Sequence, residues 1–159
     1  EMNKKFDAAS AELDAYIRSL NQQYAGADIH CSLDFRCPLG SYKYITTQYG
    51  QGGHKGVDLA APQGTPIYAA ADGVVTVAAY HYSYGNYVSI YHGSADDGNT
   101  YATLYAHMSQ APSVSTNQQV KKGDLICYVG NTGYSFGTHL HLELRVNGNR
   151  TNPLSYIPH

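Results

Sequence analysis

The sequence predicts a mainly β, antiparallel domain that is preceded by a short N-terminal helix. Residues 27–159 consist of short runs rich in Val, Ile, Tyr and Thr, with Gly, Pro, Asn or Asp at intervals of about 8–12 residues. Residues 1–25, in contrast, contain no glycine and no proline. A length of 159 residues suits one domain with a hydrophobic core and a small appendage. We therefore divide the chain into a helix at 1–26 and a domain at 27–159.

The N-terminal segment carries apolar residues at helical spacing. The apolar positions alternate at intervals of three and four, namely Phe6, Ala9, Leu13, Tyr16 and Leu20. This spacing predicts a helix with one apolar seam, and Gly26 is a suitable place for it to end. Two interpretations remain open at this point: residues 1–26 are the end of a longer coiled coil, or they form a helix that packs on the domain.

The remainder of the chain predicts strands joined by tight turns. The candidate strands are 43–48, 66–70, 73–80, 86–92, 100–106, 125–129 and 139–146. Turn dipeptides such as Asp72–Gly73 and Gly85–Asn86 separate them. Because no second helical pattern intervenes, we expect antiparallel connections.

Composition excludes several classes of function. The formal net charge is −2, so no basic surface favours nucleic acid as a partner. Three cysteines are too few for a disulfide scaffold. A Cys31–Cys37 bridge with Cys127 free, and three free thiols, are both compatible with the sequence.

The last predicted strand carries the first indication of a functional site. In residues 139–146, His139, His141, Glu143 and Arg145 share one parity and apolar residues occupy the other. Period two predicts a half-buried strand whose polar face is turned outward. Side chains on that face are spaced about 6–7 Å apart, from a rise of about 3.3 Å per residue. The face is either an ordinary solvated surface or one wall of a metal site.

Two further stretches contain residues that bind metal ions. His54 and Asp58 form an H-x-x-x-D pattern, and in a straight strand they would lie about 13 Å apart. To share a metal ion they need a bend at Lys55–Gly56, which a glycine permits. His107 ends the apolar stretch TLYAH. Taken alone, each of these histidines is better explained by an ordinary structural role.

In combination these stretches resemble a known family. GGHKGVDLAAP, TLYAHMS and GTHLHLELRVNG, in this order, are similar to motifs of the lysostaphin/LytM-type zinc metallopeptidases, which cut peptide cross-links of bacterial peptidoglycan. The resemblance extends from about residue 37 to residue 157. It implies the β fold of these peptidases, an extracytoplasmic location and peptidoglycan cross-links as substrate.

The resemblance also implies roles for individual residues. It makes His54, Asp58 and His141 the ligands of one Zn²⁺ ion. It makes His107 and His139 the pair that acts on the attacking water and the developing oxyanion. All five positions hold the required residue types, which favours an enzyme over the family's non-catalytic members, which activate other wall hydrolases. Glu143 is either a rival ligand or a support for the ligands.

Aromatic loops and the helix complete the prediction. Tyrosine combines a flat apolar ring with a polar tip, which suits a groove for a peptide or glycan. Tyr84 in YHYSYGNY and Tyr134 in GYSF are therefore predicted to bind substrate. The helical segment 1–26 is predicted either to mediate contact with a protein partner or to cover the groove.

Overall fold

A computed structural model describes the backbone of residues 2–159 and the side chains of residues 11–159. It contains one α-helix, α1 (Met2–Gln23), and ten strands: β1 (Tyr44–Thr47), β2 (Val57–Ala60), β3 (Pro66–Tyr68), β4 (Gly73–His81), β5 (Gly85–Ser94), β6 (Thr100–Met108), β7 (Gln119–Val120), β8 (Leu125–Tyr128), β9 (His139–Val146) and β10 (Asn149–Thr151). All seven predicted strands are present. The three short strands β2, β7 and β10 were not predicted. Within residues 2–159, no helix combines the length and the apolar character needed to cross a membrane.

Strand β9 lies near the middle of the main sheet. The strand order is β1-β2-β9-β6-β5-β4-β7, and β10 pairs with β9 as well. Every pairing in this sheet is antiparallel. A second sheet consists of β3 and β8, also antiparallel. The predicted fold class is confirmed, and β9 receives β2 on one edge and β6 on the other.

One face of β9 packs into the main hydrophobic core. Leu140, Leu142 and Leu144 are buried there together with Val88 and Ile126. This is the arrangement that the alternating pattern predicted for the apolar parity. Burial of three leucines holds the strand in one register, since a slip by one residue would turn them towards the opposite face.

Helix α1 packs on the opposite face of the sheet. Leu13 and Ile17 are buried in a second apolar cluster that includes Val77 of β4, Tyr87 of β5 and Leu104 of β6. Of the two interpretations of residues 1–26, the structure thus has the helix packed on the domain.

The predicted helix seam is partly wrong. Tyr16 is 52% exposed, and Ile17 occupies the buried position instead. The seam's first two members, Phe6 and Ala9, lie outside the described side chains. A sheet presents a broad surface, so the docked helix uses the pair Leu13 and Ile17, spaced i and i+4, rather than a narrow coiled-coil seam.

The position of α1 also corrects the expectation for β9. The polar parity of this strand was predicted to face outward, but Glu143 is 0% exposed and Arg145 is 2% exposed. The alternating pattern correctly separated the two faces of the strand. It could not show that a helix covers the polar one.

All three cysteines are free thiols in the structure. Cys31 and Cys127 are buried, and burial raises the pKa of both thiols. Of the two alternatives from the sequence, the structure contains the one without a bridge.

Candidate metal centre

Three side chains converge at the edge between β2 and β9. Antiparallel pairing sets Asp58 directly opposite His141. Asp58 Oδ1 lies 2.8 Å from His141 Nδ1 and 3.1 Å from His54 Nε2. One potential ligand atom from each of the three residues falls within 4.8 Å of the other two. Two imidazole nitrogens and one carboxylate oxygen therefore form a compact donor set.

The approach of His54 depends on a turn and on one close backbone contact. A 3-10 turn, Gln51–Gly53, precedes His54, and the chain bends at Lys55 and Gly56, as the sequence required. A Cβ atom on Gly56 would lie 2.4 Å from the carbonyl oxygen of Leu142 and 2.9 Å from His141 Cε1. Glycine at this position thus lets the start of β2 lie directly against β9.

Two further imidazoles stand beside this group. His139 Nε2 is 3.7 Å from Asp58 Oδ1, and the ring centroids of His107 and His139 are 5.0 Å apart. His139 Nδ1 donates to the carbonyl of Gly137 at 2.7 Å, and His107 Nδ1 donates to the carbonyl of Thr132 at 2.7 Å. In the neutral form of each ring, Nε2 is therefore the acceptor. The structure brings all five predicted residues together.

The backbone of His107 is held in an unusual conformation. Its φ is +62°, in the left-handed region, which costs a non-glycine residue about 1–2 kcal/mol. The backbone N–H of His107 donates to the carbonyl of Tyr84 at 2.8 Å. The regular register of β6 with β5 shifts next to this point. Tertiary contacts therefore fix the direction in which the His107 ring enters the site.

Burial and neighbouring charges shift the pKa values of the site. Burial alone would lower the pKa of His141, but hydrogen bonds to the Asp58 and Glu143 carboxylates outweigh burial and raise it to about 9. Burial opposes ionisation of Asp58, yet hydrogen bonds with His141 and His54 bring its pKa far below the usual range. Burial, followed by the charge of His141, lowers the pKa of His107 to about 3. His107 is thus neutral over the physiological range.

Glu143 lies beneath the donor set rather than in it. Its Oε2 is 2.9 Å from His141 Nε2 and accepts a hydrogen bond from the Tyr84 hydroxyl at 2.6 Å. The carboxylate thus engages the ring nitrogen of His141 that faces away from Asp58. Of the two roles considered for Glu143, the geometry favours support of the ligand.

The assignment of Tyr84 to a substrate groove is wrong. Tyr84 is only 2% exposed and does not line the cleft, because its ring packs under the site against His141 with centroids 5.6 Å apart. A tyrosine within a Tyr-rich loop was expected to be accessible. Here its hydroxyl is used to orient Glu143.

An open cleft of about 520 Å³ leads to the five residues. Tyr134 lines it, as predicted, together with Phe136, and their rings meet edge to face with centroids 5.1 Å apart. Phe136 is 85% exposed and was not singled out from the sequence, although its position in the glycine-flanked stretch GYSFG was an available signal. Lys43 and Tyr44 also line the cleft and were also missed. No side chain from residues 11–26 lines it.

Comparison with known proteins identifies the family. Residues 52–153 match the family described as Peptidase family M23. The chain belongs to this family. The resemblance to lysostaphin/LytM-type peptidases is thereby confirmed, and all five site residues fall within the matched range of the M23 domain.

Curated relatives of the M23 domain include both hydrolases and an activator. The chain is 48% identical over 102 residues to the DD-carboxypeptidase/endopeptidase Mpg of Neisseria meningitidis, covering 64% of this chain and 22% of Mpg. It is 48% identical over 100 residues to the peptidoglycan DD-endopeptidase ShyC of Vibrio cholerae, covering 63% of this chain and 22% of ShyC. It is 42% identical over 125 residues to the murein hydrolase activator NlpD of Escherichia coli, covering 78% of this chain and 31% of NlpD. The chain thus spans only a fifth to a third of the length of these relatives.

Solved structures support the fold. A zinc-containing peptidase from Vibrio cholerae superposes with a TM-score of 0.66 at 34% identity, covering 75% of this chain and 39% of that one. The catalytic domain of lysostaphin from Staphylococcus simulans gives a TM-score of 0.61 at 29% identity, covering 72% of this chain and 91% of that domain.

Proposed function

We propose that this chain is a zinc-dependent endopeptidase that hydrolyses peptide cross-links of bacterial peptidoglycan. The observation that carries the proposal is the convergence of His54, Asp58 and His141 beside the two further imidazoles of His107 and His139, at the base of an open cleft. A histidine set that served only to stabilise the fold would not need an opening to solvent.

The donor set fits zinc. Two histidine nitrogens and one carboxylate oxygen are ligands that Zn²⁺ prefers, and three protein ligands are the number found in catalytic zinc sites. His54 Nε2, Asp58 Oδ1 and His141 Nδ1 would hold one ion, since His141 Nε2 is engaged by Glu143. When bound, zinc supplies a Lewis acid that lowers the pKa of a coordinated water to about 7 and polarises a carbonyl group.

The two remaining histidines would handle protons and the developing charge. His107 is neutral because it is buried, and its Nδ1–H is committed to Thr132, so Nε2 can accept a proton from the attacking water. His139, with its own Nδ1–H committed to Gly137, would donate from Nε2 to the tetrahedral oxyanion once it is protonated. The fixed backbone of His107 holds the first of these rings in place before substrate arrives.

The cleft and the relatives together suggest the substrate. Tyr134 and Phe136 offer flat apolar surface at the rim of the cleft, suitable for an extended peptide. Because Mpg is named a DD-carboxypeptidase/endopeptidase and ShyC a peptidoglycan DD-endopeptidase, we place D,D-cross-links first among the candidates. Peptidoglycan lies outside the cytoplasmic membrane, so the proposal includes an extracytoplasmic location.

A second candidate function follows from the similarity to NlpD, which is named as an activator of murein hydrolases. In that case the cleft would bind a wall peptide or a hydrolase without cutting a bond. The complete set of five site residues favours the enzyme. A protein partner that binds through residues 1–26 remains a prediction; since Leu13 and Ile17 pack on the sheet, such a partner would contact the outer face of α1.

Digestion of purified sacculi separates the two functions. The chain is incubated with sacculi of several cross-link types, alone and together with a wall amidase, and the released fragments are identified by mass spectrometry. If the chain is an endopeptidase, new amine termini should appear at one cross-link type without the amidase. These termini should be absent with His141→Ala and after chelation of the metal. If the chain is an activator, it should release no fragments alone and should increase the fragments that the amidase releases.

A further inference from the structure

A buried chain of charged groups runs from the metal centre to helix α1. Glu143 Oε2 contacts His141 Nε2 at 2.9 Å, and Glu143 Oε1 accepts a hydrogen bond from Arg145 Nη2 at 3.3 Å. Arg150 of β10 places Nη1 3.8 Å from Glu143 Oε2. The side chains of Glu143 and Arg145 are only 1% and 2% exposed, so solvent screens this part of the chain very little.

Asp14 of α1 completes the chain on the far side of Arg145. It accepts a hydrogen bond from Arg145 Nη1, and its Oδ1 lies 3.4 Å from Arg150 Nε. The other oxygen, Oδ2, pairs with Arg18 at 3.2 Å, and the Asp14 side chain is 15% exposed. The carboxylate is therefore fixed from three directions, and it is contributed by a helix that lies outside the range 52–153 matched by the peptidase family.

Among the poorly exposed members of this chain, the charges balance only when Asp14 is included. Arg145 and Arg150 contribute two positive charges and Glu143 and Asp14 contribute two negative ones, while the side chain of Arg18 is 47% exposed, so that solvent screens its charge. Without Asp14, two guanidinium groups would share the single Glu143 carboxylate and would compete for it with His141. A buried charge that loses its partner is costly, so Arg145 would draw Glu143 closer or leave its position.

We propose that Asp14 is a positioning residue for the metal centre. Asp14 holds Arg145, Arg145 holds Glu143, and Glu143 holds His141 with Nδ1 directed at Asp58. Helix α1 thus supports the site from beneath rather than covering its opening, which is lined by no side chain of residues 11–26. The inference rests on the proposed function in one respect, namely that the ion bound by His54, Asp58 and His141 is zinc.

Zinc affinity of the full chain tests the inference directly. The metal-free protein is titrated with Zn²⁺ in competition with a chromophoric chelator, at a temperature where circular dichroism shows every variant folded. Substitution of a residue that orients a metal ligand costs about 10–100-fold in metal affinity. Asp14 lies two contacts beyond Glu143, the residue that orients His141, so we expect Asp14→Asn to lose about tenfold in zinc affinity, at the lower end of that range. Asp14→Glu should recover most of the loss. Glu12→Gln is the matched control, an exposed acidic residue on the same helix, and should bind zinc like the wild type.

A double-mutant cycle tests whether Asp14 acts through Arg145. Arg145→Met combined with Asp14→Asn removes both members of the buried pair. The inference predicts that Asp14→Asn changes zinc affinity less than twofold in the Arg145→Met background, because its main route to Glu143 is already removed.

Failure of the inference is distinguishable from failure of the proposed function. A wild-type chain that does not bind zinc overturns both. A wild-type chain that binds zinc, with Asp14→Asn equal to the Glu12→Gln control, overturns the inference alone and leaves α1 with a purely structural role. A tenfold loss that persists in the Arg145→Met background also overturns it, because Asp14 would then act by another route.

Discussion

Gly56 offers the sharpest steric test of the metal centre. A Cβ atom added there would lie 2.4 Å from the Leu142 carbonyl oxygen and 2.9 Å from His141 Cε1. Ordinary contacts begin at about 3.4 Å, so the strands must separate by roughly 1 Å at the point where Asp58 faces His141. A misplacement of about 1 Å costs on the order of 100-fold in activity, and overpacking costs about 1–3 kcal/mol in the free energy of unfolding. Gly56→Ala should therefore remain folded but lose about 100-fold in cross-link cleavage.

The assay pairs Gly56→Ala with Gly40→Ala. Neither glycine has a left-handed backbone, and a Cβ atom on Gly40 meets no atom within 4 Å, so the control adds the same methyl group without a clash. Cleavage of a purified cross-linked dimer and zinc affinity are measured for both variants, with urea unfolding to compare their stability. Equal cleavage by the two variants would refute the reasoning that close contact between β2 and β9 sets the geometry of the site.

Three further predictions concern the proposed catalytic role of His107, the cleft and the core. His107→Ala should bind zinc normally and lose about 10²–10⁴-fold in kcat, the usual contribution of a general base; unchanged kcat would contradict its role. Phe136→Ala should raise KM with kcat nearly unchanged, because its exposed ring can contact substrate but carries no group that transfers a proton. Steady-state kinetics with the cross-linked peptidoglycan dimer as substrate separates the two parameters. Burial lowers the pKa of His92 to about 4, so the contribution of His92 to the free energy of unfolding should be fully present above about pH 6.5 and should fall by about 3 kcal/mol as the pH drops to 4. Urea unfolding of the wild type and of His92→Asn at several pH values measures this difference. Parallel curves of unfolding free energy against pH for the two proteins would refute the prediction.

The longer strands could be predicted from the sequence because their signals are local, whereas the resemblance to the lysostaphin/LytM-type peptidases supplied the set of five site residues. Alternation in residues 139–146 identified both the strand and the two faces of β9. The H-x-x-x-D spacing required a bend, and the chain bends at Gly56. The sequence does not reveal strand β2, whose four residues are VDLA. Three of the four are buried, including residues on both faces of the strand, so the polar and apolar positions do not alternate.

The surroundings of the site could not be predicted in the same way, because long-range contacts determine them. Arg145 and Asp14 are 131 positions apart in the chain, and no local pattern indicates that they pair. The expectation of a solvated β9 face failed for this reason. Tyr84 was placed in the groove because it lies in a Tyr-rich loop, whereas its burial follows from packing against His107 and His141.

The dependence of cleavage on zinc tests the central claim most directly. Metal-free chain is mixed with increasing equivalents of Zn²⁺, and the initial rate of cleavage of a purified cross-linked dimer is followed by liquid chromatography. We expect no cleavage without zinc, a linear rise in rate as zinc is added, and a plateau at one equivalent per chain, with His141→Ala inactive throughout. Cleavage that survives complete chelation, or a chain that binds one zinc ion and cuts no cross-link of any type, would contradict it.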